Sequence, residues 1–161
     1  MTSRVMLLLC LVVSYAAQAK QEMSAADEKL MSGYALSMDK LRAYSGAIAK
    51  MNTACKSDPA IREESDKAAP KPGATLEQAI QQISDTPLFK HFMKPAGLDA
   101  QDVVLMPIAL MGAGAVVEAH ADPSKLHGLS DAQVAFYRAH RDEIQKLKLS
   151  GECEGAGDEE Q

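Results

Sequence analysis

The segment Val103–Val117, VVLMPIALMGAGAVV, contains no charged and no strongly polar side chain. A helix built from it is apolar on every side, so the sequence predicts that other parts of the protein surround it. At fifteen residues it falls short of the about 20 that an ordinary membrane span needs. Small residues (Ala109, Gly112, Ala113, Gly114, Ala115) interleave with bulky Leu105, Met106, Ile108, Leu110 and Met111. That mixture lets neighbouring helices come close while the larger side chains fill the gaps between them. Pro107 lacks the N–H that would bond back to Val103, so a kink is expected there.

The flanking chain supplies partners for this helix. Tyr34, Met38, Leu41, Tyr44, Ile48, Met51 and Cys55 recur at steps of three and four, which predicts one apolar helical face. Ser37 stands at its N-cap, with Leu36 and Leu41 placed to staple across it. Before it, residues 20–33 are polar, with a capped turn at Ser24–Asp27, and read as a short helix or a frayed lead-in. After it, residues 56–73 carry three prolines and many charges of mixed sign, the composition of a surface loop or mobile linker. Thr75 and Gln78 form a capping pattern for a short helix, and Thr86 with Pro87 at N1 starts another that Pro95 and Gly97 close. Two similar start signals follow, Gly97-Leu-Asp-Ala-Gln-Asp-Val103 and Gly128-Leu-Ser-Asp-Ala-Gln-Val134. In each, Asp99 or Ser130 caps the helix and Asp102 or Gln133 reaches back to complete a capping box. No alternating strand pattern occurs. The expected fold is therefore all-α, with three long helices (about 38–55, 100–121 and 131–149) and two short ones (about 76–84 and 87–94) in one bundle.

The N-terminus bounds the compartment. Arg4, the apolar run Val5–Val13 and Ala17-Gln18-Ala19 are the parts of a secretory signal peptide. Cleavage after Ala19 leaves 142 residues, with 16 basic against 22 acidic side chains and a net charge of −6. A secreted or periplasmic product of that charge is a poor partner for nucleic acid or anionic membrane surfaces. No further segment reads as a membrane anchor. Residues 34–150 make the single helical domain, and 151–161 an acidic tail. Cleavage also leaves two cysteines, Cys55 and Cys153, which an oxidising compartment favours as one disulfide. Two thiols, or Cys153 bonding another chain, are the alternatives. Within one chain the bond requires both flanking helices to end at the same side of the domain. The short connection from Asp122 to Leu129 makes the central and final helices antiparallel neighbours, and the first long helix would then run parallel to the last.

Candidates for chemistry are few. His140 projects between Phe136, Tyr137, Ile144 and Leu147, on the apolar face of the final helix. A histidine there is most simply a buried, hydrogen-bonded core residue. The functional alternative is a haem or metal carrier that uses His140, since a His/Met pair from two helices can hold a b-type haem. His91, His120, His127 and His140 lack the i, i+3 or i, i+4 spacing of a metal motif. Glu118 and His120 form the one acid/base pair near a helix end. GxSxG and CxxCH are both missing, which argues against a serine hydrolase of that type or a covalent haem protein. The methionines sit mostly at core spacing and read as packing.

Three pieces, YALSMDKLRAY at 34–44, DTPLFKHFMKPAGLDAQDVVLMPIAL at 85–110 and LSDAQVAFYRAHRDEIQKL at 129–147, resemble an uncharacterised group of exported all-helical bacterial proteins. The resemblance rests on helix caps and core positions. It implies a bacterial, exported, helical domain and no catalytic residue. The expectation from the sequence is an exported helical protein that binds a protein partner or a small apolar ligand.

Overall fold

The computed structural model describes residues 23–68 and 71–150, and these are mainly helical, with no strand among them. Six α-helices follow one another: α1 (Ala25–Ser32), α2 (Met38–Ser57), α3 (Pro59–Lys67), α4 (Leu76–Asp85), α5 (Ala100–Ala119) and α6 (Asp131–Ile144). Between α4 and α5 the chain makes a π-helical turn, Phe89–Met93, that tightens into a 3-10 turn, Lys94–Ala96. The expected signal peptide, the acidic tail and Cys153 lie outside the described residues.

Local chemistry accounts for the helix starts. Ser24, Thr75, Asp99 and Ser130 each accept the backbone N–H three residues on, and the last three form reciprocal capping boxes with Gln78, Asp102 and Gln133. Thr86 Oγ1 accepts from the Phe89 N–H (3.2 Å) and opens the turn after Pro87. Gly97, at φ 81°, ends that turn in the left-handed region where a side chain would be strained. Ser37 occupies the N-cap of α2, but its hydroxyl makes no capping bond.

Of the two readings open for residues 20–33 the structure has the short helix, and the stretch 56–73, expected as loop, is also partly helical. The lead-in contains α1, which buries Met31. The stretch 56–73 contains α3, because Asp58 caps the Ala60 N–H and Pro59 sits at N1. Ile61 and Ala68 pack on the core, and Arg62 donates to the Cys55 carbonyl. The last helix is shorter than expected. After Ile144 the chain turns so that Leu147 and Leu149 reach the core and the Lys148 N–H donates to Ser45 Oγ (3.1 Å).

The orientation of the long helices departs from the sequence expectation in one respect. Arg42 bonds Glu143 and Ser45 accepts from Lys148, so α2 and α6 run in the same sense, as expected. However, α5 is not antiparallel to them. Gly114 faces the ring of Tyr137 while Glu118 pairs with Arg141, so contacts advance together along α5 and α6. The first turns of α5 and α6 also both meet at Tyr34, immediately before α2. The reason is the connection between α5 and α6. Residues 120–130 are long enough to travel back along α5 even with a 3-10 turn at Pro123–Lys125, since the other eight residues alone extend up to about 26 Å. On the way Gly128 (φ 78°) presses onto α1, where a Cβ would lie 2.9 Å from Met31 Cβ. His127 Nδ1 sits 3.1 Å from Glu28 Oε1 beside it.

Candidate functional site

The residues singled out by sequence separate in space. His140 is half-buried rather than buried, its ring packed on Phe136 at 4.6 Å, and it makes no hydrogen bond among the described residues. The expectation of a hydrogen-bonded core histidine is thus corrected. The buried stripe of α6 is Gln133, Val134, Tyr137 and Ile144, and at about 100° per residue that places His140 and Phe136 on its edge. His91 packs edge-on against Phe92, His120 holds the left-handed C-cap of α5, and His127 bonds Glu28. No three His, Cys, Asp or Glu side chains among the described residues converge into a metal-binding group. Glu118 is engaged by both Arg141 Nε and an Arg141 terminal nitrogen at 2.5 Å, a two-pronged ion pair that joins α5 to α6. Cys55 is fully buried at the end of α2.

The structure brings other residues together. Asp102, 1% exposed, is the hub of a polar cluster where the helices meet. One of its oxygens accepts from the Tyr34 hydroxyl (2.9 Å) and from Lys40 Nζ (2.6 Å), and the other from the Asp99 N–H (3.1 Å). Burial alone would push this carboxyl up. The Lys40 ammonium, the Asp99 N–H and the Tyr34 hydroxyl outweigh burial and hold it below the usual carboxylate range. Burial and the neighbouring carboxylate push the Tyr34 hydroxyl far above its ordinary value. Gln133 completes the cluster by donating to the Met31 and Tyr34 carbonyls, both at 2.8 Å. Every group here is answered by protein, so the cluster is a structural clasp. Sequence reading found Asp102 and Gln133 as caps and missed their second task.

The open chemistry lies on α5. That helix is apolar on all sides, yet only 39% of its most apolar 18 residues are buried. Leu105, Met106, Ala109, Leu110 and Ala113 face the core. Ile108, Met111, Gly112 and Ala115 line a groove of about 470 Å³ closed by Met23, Met31, Leu126 and Leu129. Met111 is 72% exposed, the one large hydrophobic side chain so exposed among the described residues. The expectation that protein encloses this helix on every side is therefore corrected: the returning 120–130 connection covers its outer face only in part. Lys125 stands at the groove edge with no ion pair among the described residues.

Comparison with family models, with curated proteins and with solved structures finds no match for the chain.

Proposed function

We propose that the chain is an exported helical binding protein that takes an apolar ligand into the groove on the open side of α5. The exposure of Met111 within an otherwise apolar trough carries this reading, because an isolated exposed methionine is ordinary but a groove lined by three methionines is not. Thioether side chains adapt to varied apolar shapes. The volume falls within the range of about 300–1,000 Å³ seen for small-molecule sites. An acyl chain suits the trough, and Lys125 suits an anionic group at its end.

The test is a fluorescence titration of the full chain with N-phenyl-1-naphthylamine, followed by displacement with oleate. One saturable site is expected. Met111→Asp should leave the helical circular dichroism unchanged and weaken binding tenfold or more. Withdrawing a methionine from a ligand contact removes up to about 1.5–3 kcal/mol, and about 1.4 is a factor of ten. Non-saturable binding, or equal affinity in the variant, would count against the groove.

Export and the cysteine pairing belong to the same reading. The parallel course of α2 and α6 supports a Cys55–Cys153 disulfide, because both helices lead toward the same end of the domain. An intact mass of the exported chain should match Lys20–Gln161 less two hydrogens. A chain retaining residues 1–19, or one with two thiols, would refute these parts of the proposal.

A further inference from the structure

A second pocket shares no residue with the α5 groove. It measures about 200 Å³ and lies among α2, α3, α4 and the π-helical turn. Ile48, Met51, Ile83, Phe89 and Met93 form its apolar walls. No charged side chain lines it, so a charged ligand would be desolvated without compensation. Two small hydroxyls also line it: Ser65 is half-buried on α3, and Thr86 is already engaged, donating to the Ile83 carbonyl and accepting from the Phe89 N–H.

Tyr44 is different. It lines the pocket, is only 8% exposed, and its hydroxyl makes no hydrogen bond among the described residues. The ring is buried but the hydroxyl oxygen itself reaches solvent at the pocket, so with no protein partner it is free to donate to an acceptor from outside the chain. Burial raises its pKa, so it stays protonated and remains a donor. The wall opposite includes the π-helical turn Phe89–Met93, and such turns recur at functional sites. Size narrows the ligand further. An apolar cavity of about 150 Å³ accommodates benzene, so this pocket holds one ring with a short substituent and is too small for a long acyl chain.

We infer that the Tyr44 pocket binds a small neutral molecule of about one ring bearing a single hydrogen-bond acceptor, which takes the Tyr44 hydroxyl proton as its partner. The site is independent of the α5 groove, and its ligand is of a different class.

The experiment titrates the full chain, with ¹³C-labelled methionine methyl groups, against acetophenone and against ethylbenzene of nearly the same shape. Acetophenone should bind saturably, shifting the Met51 and Met93 signals and leaving Met111 in place. Ethylbenzene should bind more weakly by about tenfold, the usual effect of one hydrogen bond. Tyr44→Phe should remove that difference by weakening acetophenone alone. Ala68→Phe, at the half-buried edge of the pocket, should abolish both. Saturation without shifts at Met51 and Met93, equal affinity of the two probes for the native chain, or an unchanged preference in Tyr44→Phe would overturn the inference.

Discussion

Replacing Leu110 with Asp is expected to leave no folded protein, while the same change one residue later, Met111→Asp, leaves the fold intact. The two positions are neighbours on α5 and point about 100° apart, which takes one into the core and the other into solvent, at 7% and 72% exposure. Burying a carboxylate with no partner costs several kcal/mol. Losing the leucine contacts costs about 2–5 kcal/mol more. Together these consume a typical total stability of about 5–15 kcal/mol. At Met111 the new carboxylate stays in water and the cost is small. Circular dichroism and thermal melting of the pair check this. A Leu110→Asp protein with native melting behaviour would mean that the inner face of α5 is not enclosed.

Asp102→Ala should produce the second largest loss. It strands the buried Tyr34 hydroxyl and the Asp99 N–H, at about 1–3 kcal/mol for each unsatisfied group, and it removes half of a capping box. Lys40 is 41% exposed and returns to water, so its ion pair adds little. A destabilisation of about 3 kcal/mol, or a fall in Tm of about 10 °C, is expected. The same group sets a pH dependence. Because the folded carboxyl is held below the ordinary value, its stabilisation is present above about pH 4 and is lost as pH falls through the folded pKa. Tyr34 acts at the other limit, since its folded hydroxyl titrates above the ordinary value of 10.0. Stability therefore falls again once the pH passes about 10 and the unfolded hydroxyl ionises. Denaturant titrations across pH should show the acid limb flattened in Asp102→Asn. An unchanged acid limb would mean that Asp102 is not the group responsible.

What the sequence made legible was local. The capping boxes at Thr75, Asp99 and Ser130 need only residues three apart, and each forms as read. So does the turn opened by Thr86 and closed by Gly97. The all-helical class follows from those signals and from the spacing of core residues. What stayed hidden depends on distant packing. In α3, charges outnumber apolar residues, and its place is fixed by Ile61, Ala68 and the Arg62–Cys55 bond. The direction of α5 depended on the route of residues 120–130, which pattern reading treated as a tight connection. Met111 lies off the buried stripe of Leu105, Met106, Ala109, Leu110 and Ala113 but is as apolar as they are, so only the supply of covering segments decides that it stays exposed. His140 was misplaced by a small rotation of α6, within the error of reading a face from Phe136 and Leu147. The polar clasp escaped for a similar reason: Asp102 could be read as a cap, but its bonds to Tyr34 and Lys40 join residues more than sixty positions apart.

The central claim is that the uncovered side of α5 is a ligand site rather than an idle surface. Native mass spectrometry of the full chain, isolated from its own source without detergent, tests it most directly. The account predicts one apolar molecule of lipid size bound per chain, released on collisional activation and absent from Met111→Asp prepared the same way. A bare chain mass for the native protein, or an adduct that persists unchanged in Met111→Asp, would contradict it.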